Sequence, residues 1–264
     1  MLHYTKVFSC HQKEWLVFLH GLGGKSTLFY KQADFFSKHY NLVFIDLPGH
    51  GDSTGLPAKY YEATQIVPKI TEVLDKLKIS SAHFLAFSVG TIIGNELMLC
   101  ASPYIRTMTL AGPVLKFNSW SKLLIESAWR LRSLAPYMAF YKIFAYLIMP
   151  RNSHAKSRFY FVREAANLGR KEFIKWTYLL KNANKPYEQL KQQPTTIPML
   201  YLIGKEDHLF LVEAKKAAAS NPYATLHIID ECGHVCVIEK SAACNEAVHT
   251  FIQHNNLYKK ASSL

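Results

Sequence analysis

A serine at the junction of a short apolar run and a helix-like segment constrains the fold more than any other stretch of the chain. Residues 82–87 form an apolar run with strand character, and residues 91–100 form a helix-like segment rich in small side chains. Ser88 lies between them, with the small residues Ala86 and Gly90 two positions away on either side. A tight strand-to-helix turn exposes the serine hydroxyl above the sheet and points the helix N-terminus at the same spot. Such a turn can stabilise an oxyanion.

Apolar runs and helical segments alternate along the rest of the chain. Continuous apolar runs in such an alternation are typical of a parallel sheet with helices on both faces. The sequence therefore predicts an α/β fold with a mostly parallel central sheet. The predicted strands are 4–8, 15–19, 42–45, 82–87, 107–113, 198–204 and 226–229. The predicted helices between and after them are 26–39, 62–77, 91–100, 211–220 and 239–254. Pro68 is expected to kink the second helix or to mark its true start, and residues 255–264 are expected to fray.

Five side chains with functional chemistry come directly after predicted strands, where functional groups gather in such sheets. They are His20, Asp46, Ser88, Asp207 and His234. A serine needs a base to remove its proton, and a histidine oriented by a carboxylate is the usual base. We therefore predict Ser88 as the nucleophile, His234 as the base and Asp207 as the carboxylate. The backbone N–H groups of Leu22 and Val89 are predicted to bind the oxyanion.

Five short segments carry a family resemblance and occur in the family's order along the chain. They are residues 20–24, 46–51, 86–90, 204–207 and 233–234. With them the chain resembles the α/β-hydrolase superfamily, in the branch of cofactor-free esterases, lipases and C–C hydrolases. The resemblance covers roughly residues 4–113 and 195–255, and Ala86 is the one departure, where the family usually has glycine. The serine at position 88 disfavours the dehalogenases and epoxide hydrolases of this fold, because those enzymes carry aspartate at the nucleophile position.

Other acidic and histidine side chains compete for roles in the predicted site. The competing acids are Asp52, Glu206, Asp230 and Glu231. The family's acid follows the strand at 198–204 with a similar spacing, which favours Asp207. Asp230 and Glu231 lie too close to His234 in sequence to face it easily. His20 and His50 are expected to shape their loops, and Asp46 to anchor a turn.

Residues 114–193 interrupt the sheet pattern and resemble the helical cap that this family inserts over its active site. We predict an α/β-hydrolase core at 1–113 and 194–264, with the cap at 114–193 selecting substrates and excluding water. The cap holds 15 of the 35 aromatic residues, which is enough to line an acyl pocket as well as to pack on the core. Its predicted helices are 120–134, 137–149, 157–168 and 171–181.

The positive charge of the chain is concentrated in the predicted cap. The net charge is +12, and residues 116–191 hold 15 Lys and Arg against 4 Glu. Three interpretations stay open: a solvated basic face, attraction of an anionic substrate or acyl carrier, and peripheral contact with an anionic membrane through helices such as 137–149. Nucleic-acid binding is not expected, because no binding motif accompanies the charge.

Several classes of protein and site are disfavoured by what the sequence lacks. No apolar run reaches the roughly 18 residues that span a bilayer, and residues 1–6 lack the apolar stretch of a secretion signal, so a cytoplasmic protein is expected. Cys232 and Cys236 have no second pair to complete a zinc site, and position 19 is Leu where a phosphate-binding loop needs glycine. No metal and no cofactor are expected.

The predicted function is that of a serine hydrolase cleaving an ester, a thioester or a related acyl bond. Its expected partner is a small-molecule acyl substrate, either lipid-like or anionic. Two alternatives use the same residues: a C–C bond hydrolase and an acyltransferase. A third is a non-catalytic ligand-binding protein on this fold, since fold does not fix function.

Overall fold

Seven short strands form one sheet in the part of the chain that the structure describes. The structure, a computed structural model, describes residues 1–117, 119–131 and 136–262. The strands are β1 Tyr4–Val7, β2 Trp15–Leu19, β3 Asn41–Ile45, β4 Ala82–Phe87, β5 Ile105–Ala111, β6 Met199–Gly204 and β7 Ala224–Ile229. Every residue of β3, β4 and β6 is buried, as expected for apolar runs covered on both faces of a parallel sheet. The predicted fold class, α/β with a mostly parallel sheet, is confirmed.

The strand order brings the carboxyl ends of six strands to one edge of the sheet. The order is β1-β3-β2-β4-β5-β6-β7, with β1 antiparallel to β3 and the other neighbours parallel. The last residue of β2, Leu19, lies opposite Ile45 of β3 and Ala86 of β4. Ala111 at the end of β5 lies opposite Phe87 and is paired with Leu202 of β6 on its other side. The loops that follow these strands therefore meet along one line.

Helices cover the sheet and fill the interval between β5 and β6. They are α1 Tyr30–Phe36, α2 Ala63–Lys76, α3 Val89–Cys100, α4 Ser119–Arg130, α5 Tyr137–Ile148, α6 Ala155–Ala165, α7 Gly169–Lys181, α8 Asn184–Gln192, α9 Leu211–Ala219, α10 Cys236–Glu239 and α11 Ser241–Ser262. One layer contains α2, α3 and α8, which pack together, and another contains α1 and α11. None of the helices in the described ranges is both long enough and apolar enough to cross a bilayer.

Some elements differ from the sequence predictions in their bounds. The predicted helix at 26–39 is a 3-10 turn at Ser26–Phe29 followed by α1, which ends at Phe36. Helix α2 runs through Pro68 and begins at a capping box between Glu62 and Gln65, so the proline neither starts nor ends it.

The helices of the insertion and of the C-terminal segment also differ in extent. Helix α8 was not predicted, and the helix predicted at 120–134 ends at Arg130, with 132–135 outside the described residues. Helix α11 continues through most of the segment predicted to fray, because Asn256 Nδ2 donates to Glu14 Oε2 at 2.6 Å and fastens it to the core. Residues 263–264 are outside the described ranges. The division into core and cap stays a prediction.

Candidate active site

Ser88 occupies a strained backbone conformation between β4 and α3. Its φ of 52° and ψ of −120° lie in a region that a residue with a side chain seldom adopts, at a cost of about 1–3 kcal/mol. Neighbouring hydrogen bonds hold it there: Ser88 N–H donates to the Ala111 carbonyl at 2.9 Å, and the Ser88 carbonyl accepts from Thr91 N–H at 2.8 Å. The turn therefore presents the Ser88 hydroxyl at the carboxyl edge of the sheet.

Small residues on both sides of Ser88 make room for this turn. A Cβ atom on Gly90 would lie 2.6 Å from the Leu19 carbonyl oxygen. This contact is too close, and only a shift of the backbone of β2 or α3 could relieve it. Ala86, on the other side, is fully buried and nevertheless carries a methyl group. A Cβ atom on Gly94 would lie 3.3 Å from the Ala86 Cβ, so the methyl occupies space that Gly94 leaves free.

His234 and Asp207 complete a hydrogen-bonded chain that begins at Ser88. His234 Nε2 lies 2.9 Å from Ser88 Oγ, and His234 Nδ1 lies 2.7 Å from Asp207 Oδ2. With the Nδ1 proton donated to the Asp207 carboxylate, Nε2 is free to accept the Ser88 proton. All three side chains are buried, and the rings of Phe87 and Phe210 lie 5.6 and 5.3 Å from the imidazole. The structure thus brings together the three side chains that the sequence singled out.

Two glycines allow the loop that carries His234 to approach the sheet edge. A Cβ atom on Gly204, at the end of β6, would lie 2.2 Å from the carbonyl oxygens of both Cys232 and Gly233. Gly112, after β5, has a φ of 54°, and a Cβ atom there would lie 2.9 Å from the His234 carbonyl oxygen. Both positions require glycine because the loop backbone passes directly over them.

The other acidic candidates have partners away from His234. Asp230 pairs with Lys205 at 2.6 Å and Glu231 with Lys240 at 3.0 Å, both on the surface. Glu206 pairs with Arg151 and His154. Asp46 accepts hydrogen bonds from the backbone N–H groups of Ser26 and Asp52, at 2.7 and 3.1 Å, as a turn anchor does. Asp52 itself is exposed, and its carboxylate lies 3.9 Å from His3 Nδ1.

The backbone N–H groups of Leu22 and Val89 are both unused within the described residues. Val89 is the first residue of α3, so its N–H group points out of the helix N-terminus. Leu22 lies in the loop after β2, next to Ser88, because a Cβ atom on the preceding Gly21 would lie 3.0 Å from the Ser88 Cβ. Neither N–H group donates a hydrogen bond to any residue that the structure describes. The two are available to an oxyanion formed beside Ser88.

Comparison with known proteins gives the family. A model of the Alpha/beta hydrolase family matches residues 16–247. The chain belongs to this family. A curated relative, (E)-2-((N-methylformamido)methylene)succinate hydrolase from Acinetobacter baylyi, is 30% identical over 109 residues. That match covers 41% of this chain and 41% of that protein, so the chain spans about two fifths of the length of this relative.

Solved structures show the same fold over nearly the whole chain. A structure of MenH from S. aureus superposes with a TM-score of 0.83 at 20% identity, covering 97% of this chain and 100% of that one. An esterase from Exiguobacterium antarcticum superposes with a TM-score of 0.82 at 17% identity, covering 96% and 95% of the two chains. At this identity the likeness shows the fold alone.

Two buried histidines shape the loop that carries Leu22 in this α/β hydrolase. His20 Nε2 accepts the Leu47 N–H at 2.9 Å, and His50 Nε2 accepts the Gly23 N–H at 2.9 Å. A ring nitrogen that accepts must be unprotonated. Burial lowers the pKa of His20 to about 4, and it lowers the pKa of His50 well below its usual value. Both rings are therefore neutral near pH 7 and serve as loop supports.

Side chains from the helices between β5 and β6 bind the loops around Ser88. Tyr141 of α5 donates its hydroxyl to the Leu22 carbonyl at 2.6 Å, and Trp176 of α7 donates its Nε1–H to the Pro48 carbonyl at 3.0 Å. Lys175 of α7 is buried, donates to the Leu56 carbonyl at 3.0 Å and pairs with Glu172 of the same helix at 2.9 Å. Sequence analysis missed these residues, because aromatic enrichment identifies the segment but not which ring contacts which loop.

Two adjoining cavities lie beside the loop that carries Leu22. A cavity of about 40 Å³ lies beside Leu22, Phe87 and Phe161, and this volume is close to that of one water molecule. It shares Leu28 and Tyr160 with an open cavity of about 850 Å³ between α6 and the segment after β2. In this conformation the space beside Leu22 and Phe87 is narrow, and the wide cavity lies outside it.

The described cysteines and acids give little support to a metal site. Cys232 and Cys236 are buried and free, and the pKa of each thiol is raised, by burial for Cys232 and by Cys244 together with burial for Cys236. A metal-ligating thiol must be deprotonated, which these surroundings oppose. Within the described ranges His3, Asp46 and Asp52 are close enough to share an ion, but backbone N–H groups already occupy the Asp46 carboxylate.

Proposed function

We propose that this α/β hydrolase is a serine hydrolase that cleaves carboxylic esters, thioesters or related acyl bonds of small molecules. The observation that carries the proposal is the continuous hydrogen-bonded chain from Ser88 through His234 to Asp207. The curated relative and one of the structural neighbours are themselves named as a hydrolase and an esterase.

The proposed reaction uses each side chain for one task. His234 Nε2 removes the proton of Ser88 as its oxygen attacks the carbonyl carbon, and the negative charge moves to the carbonyl oxygen. Asp207 keeps the imidazole in the tautomer that accepts at Nε2 and stabilises the imidazolium that forms. His234 then gives the proton to the leaving group, and an acyl group remains on Ser88.

Hydrolysis of the acyl-enzyme repeats these steps with water. His234 removes a proton from water, the hydroxide oxygen attacks the acyl carbon, and Ser88 leaves with the proton returned by His234. In both halves the N–H groups of Leu22 and Val89 donate to the oxyanion, and their lack of partners among the described residues means that no existing bond must break.

The experiment that tests the proposal is intact-mass spectrometry after exposure to a fluorophosphonate. We expect one adduct on the wild-type chain at Ser88, and none on Ser88→Ala or His234→Ala. Ser53→Ala is the matched control, because Ser53 has the same exposed fraction as Ser88, 7%, but donates to the Asp46 carbonyl. An adduct that persists in Ser88→Ala would contradict the proposal.

The three alternatives, an acyltransferase, a C–C hydrolase and a ligand-binding protein, are distinguished by the acceptor of the acyl group, by the bond that is cleaved and by whether any substrate is turned over. If the unlabelled enzyme transfers an acyl group to an added alcohol or amine in preference to water, it is an acyltransferase. If it turns over a vinylogous diketone but no ester, it is a C–C hydrolase. A ligand bound without turnover, together with no fluorophosphonate adduct, would indicate a binding protein.

A further inference from the structure

Helices α5 and α6 form an antiparallel hairpin with one side turned toward the candidate active site. The Tyr137 hydroxyl near the start of α5 donates to the Ala166 carbonyl after the end of α6, at 3.0 Å. At the other end of the hairpin the Arg158 guanidinium lies 4.4 Å from the Tyr146 ring centroid. Tyr141, between them, is buried and contacts the loop after β2. The opposite side of the hairpin therefore faces away from the protein.

That outer side carries large apolar side chains in solvent. Ile143 and Tyr146, one turn apart on α5, are 55% and 61% exposed, and Phe159 on α6 is 63% exposed. Phe159 directly follows Arg158, whose guanidinium lies over the Tyr146 ring, so Phe159 lies on the helix that borders Tyr146, and Arg163 lies 5.9 Å from the Phe159 ring centroid. Single exposed apolar residues are ordinary, but a group of large ones on one surface marks an interaction site.

The same surface is positively charged, and its carboxylate neighbours are Glu164, beside Arg163, and Glu206, beside Arg151 and His154. Residues 136–163 contain five Lys and Arg and no Asp or Glu. Lys142 and Lys156 are exposed, and no carboxylate of the described chain lies within ion-pair distance of either. Arg163 lies 4.8 Å from the Tyr160 ring centroid and pairs with the adjacent Glu164. The hairpin face is defined here as Lys142, Ile143, Tyr146, Lys156, Arg158, Phe159 and Arg163.

We propose that the hairpin face docks on an anionic phospholipid surface. Lys and Arg around exposed aromatic and aliphatic side chains are suited to an interface where apolar groups enter the acyl boundary and cations meet lipid phosphates and carboxylates. A second copy of the chain fits this face poorly, since a two-fold contact would set its cations against the same cations of the partner. The absence of acids across 136–163 is the feature that selects an anionic surface.

Docking in this orientation places the lipid surface next to the cavity of the candidate site. Lys156, Tyr160 and Arg163 of α6 also line the open cavity of about 850 Å³. The buried side of α5 meanwhile holds the Leu22 carbonyl through Tyr141. An amphiphilic molecule leaving the lipid surface would therefore enter the cavity from the docked side. Docking itself does not depend on the chemistry of Ser88.

The test is co-sedimentation of the whole protein with phospholipid vesicles. We expect binding to vesicles of phosphatidylcholine mixed with phosphatidylserine, weakening with added salt, and little binding to phosphatidylcholine alone. Lys142→Glu with Lys156→Glu should weaken binding about tenfold or more. Ile143→Ser with Phe159→Ser should weaken it to a similar degree at constant charge. Thermal unfolding verifies that each variant is folded, which is expected because the four side chains are exposed.

The matched control carries equivalent changes on another helix. Val212 and Lys215 of α9 are also exposed, so Val212→Ser with Lys215→Glu changes one apolar and one cationic side chain outside the hairpin face and should bind as the wild type does. Ser88→Ala should also bind as the wild type, which separates this proposal from the proposed hydrolase activity. Equal binding to neutral and anionic vesicles, or wild-type binding by the face variants, would overturn the proposal. So would a wild-type dimer that the face variants convert to monomer.

Discussion

The Tyr141 hydroxyl donates a hydrogen bond to the Leu22 carbonyl oxygen at 2.6 Å, and both residues are buried. This bond joins α5 to the peptide unit that directly follows the Leu22 N–H group, a proposed oxyanion donor. The carbonyl of Leu22 and its N–H group belong to the same residue, so the orientation of one limits the orientation of the other. A helix far along the chain thereby helps to fix the loop after β2.

Removal of the Tyr141 hydroxyl should therefore affect reactivity as well as stability. Tyr141→Phe leaves the buried Leu22 carbonyl without this donor, and we expect unfolding to become easier by about 1–2 kcal/mol. The rate of fluorophosphonate labelling at Ser88 should fall about tenfold, because the oxyanion donor is held less firmly. Tyr137→Phe is the control, since its hydroxyl bonds to Ala166 away from the loop. A loss of stability without a change in labelling would show that the bond supports the fold alone.

The assignment of Asp207 as the orienting carboxylate can be tested by removing its charge at constant shape. Asp207→Asn keeps the size of the side chain but favours the wrong histidine tautomer, and labelling should slow by about three to four orders of magnitude. Asp230→Asn is the matched control, because Asp230 follows a neighbouring strand and pairs with Lys205 on the surface. Its labelling rate should remain that of the wild type. Equal slowing in both variants would contradict the assignment.

The sequence predicted the strands of the sheet and the loops that carry Ser88 and His234, for a simple physical reason. Buried parallel strands are short continuous apolar runs, so β2, β4 and β6 are visible in the sequence, with the loops that follow them. Side chains after such strands must meet at one edge whatever the details of packing. Ser88 and His234 therefore come together although they are far apart along the chain.

What the sequence could not give depends on contacts between distant segments. Helix α11 extends to Ser262, through most of the segment predicted to fray, and Asn256 in that segment bonds to Glu14, a partner that no local pattern indicates. Helix α8, with Pro186 inside it, shows weak local preference and is stabilised by packing against α3. Likewise, nothing in the local sequence identifies Tyr141, among fifteen aromatic residues of the insertion, as the ring that bonds to Leu22.

The neutral histidines His20 and His50 should make the stability of the protein depend on pH. The pKa of His20 is lowered to about 4 in the folded protein, whereas an unfolded histidine has a pKa of about 6.5. Between these values the unfolded chain binds more protons, so the free energy of unfolding decreases as pH falls from about 6.5 toward 4. The contribution of His20 over that whole interval is about 3 kcal/mol, and the lowered pKa of His50 acts in the same direction.

Urea unfolding at several pH values between about 5 and 7 measures the slope of the free energy of unfolding against pH. This interval lies above the pH range in which most carboxylates titrate. His20→Gln keeps a donor and an acceptor but cannot titrate, so its stability should fall less steeply with decreasing pH. His227→Gln is the control, because His227 is exposed on β7 and should leave the slope unchanged. A His20→Gln slope identical to that of the wild type would mean that another group causes the pH dependence.

Ala86, the departure from the usual glycine of the family, should be coupled in free energy to Gly94. Gly94→Ala alone would set two Cβ atoms 3.3 Å apart, with Met108 Sδ at 3.1 Å, and should destabilise the fold by about 1–3 kcal/mol. Ala86→Gly alone removes a buried methyl from a strand, at a cost of about 1 kcal/mol. In the double variant the new methyl of residue 94 enters the space vacated at residue 86. The losses in free energy of unfolding of the two single variants should therefore add up to about 1 kcal/mol more than the loss of the double variant.

Urea unfolding of the four proteins in this cycle gives the coupling directly, and fluorophosphonate labelling shows whether Ser88 remains reactive in each. Gly90→Ala is the contrasting variant on the other side of the serine. Its Cβ would meet the backbone oxygens of Leu19 and His20 at 2.6 and 2.8 Å, which no change at residue 94 can relieve, and labelling should fall at least about a hundredfold. Strictly additive effects of Ala86→Gly and Gly94→Ala would show that the alanine is tolerated for some reason other than the space left by Gly94. Additivity is the less expected result, because the two Cβ positions are in direct contact across the turn that holds Ser88.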